Sequence, residues 1–270
     1  MRQPRASGAI PVLVPEWPAP AGVRALCTTR AGGVSLAPYD SLNLGDHVGD
    51  AEAAVRGNRD RLAAVLGGAR PVFLKQVHGS AAIDIGATVA GADTVAIADG
   101  CLTAQRRLAC TVMVADCLPV LFCDADGAVV AAAHAGWRGL AGEGGHGILE
   151  STLMPFWALA HIRRAQIAIK TIAWLGPCIG PASFEVGPEV KAAFEAHDPR
   201  SCDLFQPRAS GKWLADLPGL ARRRLNALGV TRIHGNDGSA AWCTVNNPSQ
   251  FFSHRRDRVS GRFAACVWLD

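Results

Sequence analysis

VADCLPVLFCDADGAVVAAAHAGWRG, residues 114–139, is two apolar runs around DADG, with a cysteine just before the first run and a histidine near the end of the second. Short continuous apolar runs bounded by turn formers are what strands buried on both faces look like, and Asp and Gly are the residues that close a hairpin. The stretch is therefore a hairpin, and its register decides which side chains meet. Closing the loop on residues 125–126, or on 124–127, sets Cys117 directly opposite His134. Closing it on Asp126–Gly127 sets His134 opposite Pro119, with Cys117 one diagonal away. Side chains alternate with period two, so both closures leave Cys117 and His134 on one face. Directly opposed residues have Cβ atoms about 4.5–5.5 Å apart. That spacing suits a thiolate and an imidazole sharing one metal ion at about 2.3 and 2.0 Å, or a nucleophile beside its base.

Outward from the hairpin, strand-like runs recur at 23–30, 71–77, 108–114, 118–124, 128–135, 168–176 and 262–269. Helical patterns fill the gaps at Ala51 to Leu66, His146 to Ala160, Pro188 to Ala196 and Leu214 to Leu228. No repeat or long linker divides the chain, so the expected architecture is α+β: a single domain with mixed β-sheets as a central core flanked by helices.

Composition limits the function classes. The 270 residues are 49% hydrophobic and 19% charged, which is globular. The net charge of +4 rests on arginine, with lysine only at Lys75, Lys170, Lys191 and Lys212. Without a basic stripe interleaved with aromatics, the excess suits a small anion and not a nucleic acid. The RRR at 222–224 reads as a solvated helix face. Nine cysteines without a CxxC pair point to a reducing cytoplasm. No run approaches the roughly 18 apolar residues of a membrane span, and the first residues carry no apolar export signal.

A third functional side chain is His78 of FLKQVHGS, at the end of another apolar run, where Gly79 leaves room for a ligand. Each residue also has an ordinary reading, since a buried cysteine is a small hydrophobe. The hairpin does not by itself recruit His78.

Eight collinear segments resemble the laccase-domain family: TTRAGGVSLAPYDSLNLGDHVGD (28–50), NRDRL (58–62), KQVHG (75–79), ADGCLT (98–103), ADCLPVLFCD (115–124), HAGWRGL (134–140), WLGPCIGPASFEVG (174–187) and FFSHRRDRVSGRFA (251–264). The resemblance runs from about Trp17 to the last residue, which sets a domain at 17–270 after a flexible tail at 1–16. It implies a pocket in which His78, Cys117 and His134 bind zinc, their ligand atoms within about 4 Å of one another. The family includes polyphenol oxidases and purine nucleoside phosphorylases. The implied activity is phosphorolysis of adenosine, inosine and methylthioadenosine, with adenosine deamination and copper-dependent phenol oxidation as side activities. The implied partners are a purine nucleoside and phosphate. Arg30, Ser41, Asn43, Lys75, Gln76 and Arg138 lie in the matching motifs and are the expected phosphate, ribose or base contacts, with Arg30 the first choice for an oxyanion.

Deamination wants a general acid/base beside the metal. Asp116 and Glu185 are near in motif terms, but Asp116 should point away from Cys117 along a regular strand. A four-copper laccase is excluded by counting: a blue-copper site takes two imidazoles, its trinuclear centre takes roughly eight more by analogy with laccases, and the chain has eight histidines in all. The chain departs from the family's pattern in the glycine-rich residues 141–146 and in His254, where a tyrosine is common. Two other readings compete: a metal-free cysteine hydrolase or amidase with Cys117 as nucleophile and His134 as base, and a non-catalytic binding protein that kept the pocket.

Overall fold

The computed structural model describes residues 10–88 and 95–270. Their strands, in chain order, are β1 (Val12–Leu13), β2 (Val23–Thr28), β3 (Arg70–Val72), β4 (Ala82–Asp84), β5 (Gly100–Thr103), β6 (Leu108–Val114), β7 (Leu118–Asp124), β8 (Val130–Ala135), β9 (Thr171–Leu175), β10 (Glu185–Val186), β11 (Phe205–Pro207), β12 (Trp213–Ala215), β13 (Arg232–Gly235) and β14 (Phe263–Leu269). The helices are α1 (Glu52–Val65), α2 (Ile85–Thr88), α3 (Trp137–Ala141), α4 (Ile148–Leu159), α5 (Ile167–Lys170), α6 (Pro188–Glu195), α7 (Leu217–Ala227) and α8 (His254–Asp257).

Two mixed sheets dominate, a five-stranded one ordered β1-β2-β14-β6-β3 and a six-stranded one ordered β13-β9-β7-β8-β5-β4. The central strands are apolar but for Thr111, Asp124 and His134, because both of their faces are buried. Cys110 and Val112 of β6 and Ala265 and Val267 of β14 meet Leu121, Cys123, Val130 and Ala132 of the second sheet, forming the core between the sheets. Alternate residues Val120, Phe122, Ala131 and Ala133 turn the other way, against α4, α6 and α7. On the outer face of the first sheet, Leu26, Met113 and Cys266 pack with Leu62 of α1 and with Leu42 and Leu44. The order is therefore helix, sheet, sheet, helices. A small third sheet, β10-β12-β11, caps the helical side.

The β7–β8 hairpin takes the second of the two registers expected for it, with Pro119 opposite His134 and Leu118 opposite Ala135. Asp124 sets it: Oδ1 accepts from the N–H groups of Ala128 and Val129, each at 2.7 Å, and Oδ2 accepts from Asp126 N–H at 3.0 Å. The directly opposed Cys117–His134 pair is thereby overturned, and the two share a face one diagonal apart.

Several other expectations shift. Of the run at 71–77, Pro71 and Val72 belong to β3 and Lys75 adds an isolated bridge to Ile97, and the run at 168–176 becomes α5 followed by β9. Of the tail expected at 1–16, residues 1–9 lie outside the described residues, whereas Ile10, Val12 and Leu13 are buried and β1 pairs with β2. The RRR run is not a solvated face. Arg224 is buried, giving Nε–H to Glu150 at 3.0 Å and Nη1–H and Nη2–H to the carbonyls of Ala141 and Gly145 at 2.8 and 2.7 Å. It thus closes the glycine-rich loop that the sequence marks as unusual.

Candidate functional site

Residues 115–117 carry the chain from β6 in one sheet to β7 in the other, so Cys117 stands where the sheets part. Asp116 turns there with φ +99°, a region uncommon for a residue with a side chain. Its carboxylate is held by Thr244 Oγ1–H and Arg255 N–H, both at 2.6 Å, and Asp116 lines the cleft together with Cys117, because the bend at 115–117 breaks the strand alternation that would have turned it away.

His134 ends β8, fully inside the protein, and Asp99 immediately precedes β5 in the register opposite it. His134 N–H donates to Asp99 C=O at 2.7 Å, and His134 Nδ1 lies 2.8 Å from Asp99 Oδ1. Nδ1 therefore carries a proton, and Nε2 is the nitrogen open to a metal, which would displace the second proton that the charged ring holds there. The same carboxylate accepts from the backbone N–H groups of Val77, His78 and Gly79 at 3.2, 2.9 and 2.8 Å. One buried side chain thus fixes the His134 ring and the backbone that carries His78, which stands at φ +61°. Burial would push the Asp99 carboxyl up, but the hydrogen bond and charge of His134 and the N–H groups of Gly79 and Val77 hold it below its usual range. Sequence reasoning passed over Asp99. The signal was an acid at the mouth of a buried strand in ADGCLT.

The glycines of HAGWRG make the convergence feasible. A Cβ on Gly136 would lie 2.9 Å from Cys117 Sγ and 3.2 Å from His78 Cδ2, and one on Gly139 would lie 2.4 Å from the carbonyl oxygen of Gly79. The HAGWRG and KQVHG backbones therefore touch, and the ligand atoms of His78, Cys117 and His134 all lie within 4.8 Å of one another. That is somewhat wider than the expected spacing of about 4 Å, so an ion would draw them inward.

Burial pushes the Cys117 thiol up, but the charge of His134 and hydrogen bonds from His134 and His78 outweigh it and bring the value down to about 6. Burial likewise pushes His134 down, while the Cys117 charge and the Asp99 hydrogen bond raise it to about 9. A thiolate at neutral pH between two imidazoles is a donor set that fits zinc, and also one that fits copper(I).

The cluster forms the floor of a cleft of about 350 Å³, a volume in the range of small-molecule sites. Met113, Ile179 and Phe184 supply apolar wall, and Gln76, His47, His254, Arg255 and Arg262 supply polar wall. The GPCIGP and FFSHRRD segments are thereby both represented in the lining. Gln76 has its amide committed to Met113, donating to its C=O and accepting from its N–H at 2.8 Å each.

The remaining expected contacts lie elsewhere. Arg30 does not line the cleft: it donates to the carbonyls of Asp40 and Pro248 at 2.9 and 3.1 Å and stacks on Phe252. Ser41 accepts from Gly33 N–H, and Asn43 bonds Gly45, Asp50 and Arg262 N–H, so both organise loops. Lys75 is exposed on the β-bridge to Ile97, Glu185 is paired with Lys212, and Arg138 lies exposed over the Trp137 ring. Of these residues, Arg30, Ser41 and Asn43 hold loops.

The model of the family described as multi-copper polyphenol oxidoreductase laccase matches residues 24–270. Similar curated proteins include a purine nucleoside phosphorylase of Pseudomonas aeruginosa, 48% identical and covering 95% of this chain and 98% of its own. The purine nucleoside phosphorylase YfiH of Escherichia coli is 45% identical, with coverage of 96% and 98%. Among solved structures, a Neisseria meningitidis protein superposes with a TM-score of 0.85 at 43% identity, over 96% of this chain and 99% of that one. YlmD from Geobacillus stearothermophilus gives 0.81 at 32% identity, over 92% of each chain. With the match spanning nearly the whole chain and both large sheets, this protein belongs to the family described as multi-copper polyphenol oxidoreductase laccases.

Proposed function

We propose that the protein is a purine nucleoside phosphorylase acting on adenosine, inosine and methylthioadenosine. The observation that carries the reading is the convergence of His78, Cys117 and His134 on the floor of one cleft that also presents two arginines and an apolar wall. The names of relatives nearly half identical over their full lengths support it. In the reaction a phosphate oxygen forms a bond to the ribose C1′ as the C1′–N bond breaks, and its electron pair leaves with the purine. The proton that hydrogenphosphate gives up balances the one the purine takes on.

His78, Cys117 and His134 would hold zinc, which when bound supplies a Lewis acid with a coordination position left for a polar group. Asp99 orients the His134 imidazole and holds the backbone that carries His78, and Met113, Ile179 and Phe184 provide apolar surface for a flat base. Deamination of adenosine is at most a minor activity. The one carboxylate in the lining is Asp116, and both its oxygens already accept hydrogen bonds. The unpaired state of all nine cysteines fits work in a reducing compartment such as the cytoplasm, and no helix among the described residues is long and apolar enough to cross a membrane.

The second reading, a metal-free hydrolase, is favoured by the lowered Cys117 thiol beside His134. Incubating zinc-loaded protein with inosine separates the two. Ribose 1-phosphate formed only when phosphate is present supports the phosphorylase. Free ribose at a rate indifferent to phosphate sinks it. Cys117→Ala should fold and lose turnover, and wild-type turnover in that variant would remove Cys117 from the chemistry.

A further inference from the structure

We infer that Arg262, set in the loop between α8 and β14 and flanked by His47 and Arg255, is the side chain that binds the phosphate co-substrate. The inference rests on the phosphorylase reading above and names the group that holds the anion.

Most arginines near the site are committed. Arg30 is paired with Asp40, Arg59 with Asp46 and Arg256 with Asp257. Arg255, which also spends only Nη1, on the carbonyls of Ser183 and Glu185, differs in that its guanidinium lies over the Phe184 ring, 5.6 Å from the centroid. Arg262 lines the cleft together with Cys117, and no carboxylate among the described residues pairs with it. Its side-chain bonds run only from Nη1, to the carbonyls of Ser260 and Gly261 at 2.8 and 3.1 Å. That leaves Nε and Nη2 uncommitted, one edge of a planar fork that matches two oxygens of a phosphate.

The surroundings fix where the fork stands. Arg262 N–H donates to Asn43 Oδ1 at 2.9 Å, and the same oxygen accepts from Gly45 N–H at 2.9 Å. A Cβ on Gly45 would lie 2.8 Å from Arg262 Cγ, so the arginine stem lies against the bare Gly45 backbone. This is the work of Asn43, a residue the sequence suggested as a substrate contact. It ties together the loop bearing His47 and the loop bearing Arg262. Register carries the argument one step further. Phe263 pairs with Val114, so Arg262 falls beside Ala115, two residues from Cys117.

A nucleoside is neutral, and the only anion among the reactants is phosphate. A permanently charged guanidinium that has been partly taken out of water without a counter-ion is costly unless an anion completes it. The cleft holds Arg255 and Arg262 with His47 and His254, against Asp116, whose charge is already hydrogen-bonded, and the Cys117 thiolate, which the imidazoles of His78 and His134 face.

The test is direct binding of inorganic phosphate to the zinc-loaded protein by calorimetry, together with phosphate and inosine kinetics, for wild type, Arg262→Gln and Arg262→Lys. Loss of a charge-assisted fork should weaken phosphate binding and raise its KM by at least about tenfold in Arg262→Gln. The inosine KM should stay within about twofold. Arg262→Lys, which keeps the charge and loses the fork, should fall between, and it also serves as the readout if the glutamine variant fails to fold. Phosphate affinity in either variant equal to that of wild type would overturn the assignment, as would an equal loss for inosine and phosphate. If wild type makes no ribose 1-phosphate, the phosphorylase reading fails, and the calorimetric comparison still decides whether Arg262 is the anion contact.

Discussion

At the scale of single residues, the site depends on what is missing at Gly136 and on what is shared at Asp99. A methyl group at Gly136 would press on Cys117 Sγ and on the His78 ring together. Gly136→Ala should therefore fold, because its backbone has an ordinary negative φ, and lose roughly tenfold or more in zinc affinity by competition with a chelator. Unchanged affinity would mean that the three side chains have slack to move. Asp99→Ala should cost about 10–100-fold in zinc affinity, the usual effect of removing the partner that orients a ligand, with a further loss from freeing the backbone of Val77, His78 and Gly79. The Cys117 thiol supplies a pH test. With its value brought down to about 6 and His134 raised to about 9, the thiolate fraction grows as pH rises through about 6 and is nearly complete at neutrality. In metal-stripped protein, iodoacetamide at pH 7 should label Cys117 ahead of Cys202, which is exposed but whose thiol is raised by slight desolvation and by Asp203. Zinc should protect Cys117. Peptide mapping that found Cys202 labelled first would show that the thiol is not activated.

At the scale of elements, the sequence disclosed the hairpin but not its register. The apolar runs at 118–124 and 128–135 were legible because a strand buried on both faces has nothing else to be. The register goes with the backbone N–H groups of Asp126, Ala128 and Val129 that the Asp124 carboxylate captures, a contact that residue pattern does not disclose. Alternation was the robust part, so Cys117 and His134 shared a face under either closure. The short strands β10, β11 and β12 escaped because two or three residues carry no readable period. Arg30, Ser41 and Asn43 were misplaced for another reason. A polar residue in a recognisable motif looks the same whether it holds a ligand or a loop. Helix α7 gave the opposite error, since its three arginines read as solvated while Arg224 is buried against Glu150 and the loop at 141–147. Breaking a buried ion pair from one side leaves an uncompensated charge, so Arg224→Ala should destabilise by about 3–5 kcal/mol in urea unfolding. Replacing both partners, as in Arg224→Met with Glu150→Leu, should recover much of that loss. A double variant no more stable than the single would show that the carbonyl contacts of the loop, and not the ion pair, carry the energy.

At the scale of the whole molecule, the three ligands come from both halves of the sandwich. His78 follows β3 at the edge of the five-stranded sheet, His134 ends β8 in the six-stranded one, and Cys117 lies on the link between them. Such a meeting is invisible to local pattern, because β3 and β8 reach one another only through the stacking of the two sheets. This is why family resemblance could recruit His78 and the hairpin could not. The placement also has a mechanical consequence. A metal bound there cross-links the sheets at the end where Cys117 leaves the core between them, and it favours the native state, which alone brings residues 78, 117 and 134 together. Free zinc at a thousandfold excess over its dissociation constant should then stabilise the fold by about 4 kcal/mol. For a chain of this length that corresponds to a rise in Tm of roughly 10 °C. Chelation should reverse the rise, and Cys117→Ala should abolish it while leaving the metal-free Tm within a few degrees of wild type. If zinc raises the Tm of Cys117→Ala as much as that of wild type, the ion sits elsewhere, and the sandwich is not held together at this end by the His78, Cys117 and His134 cluster.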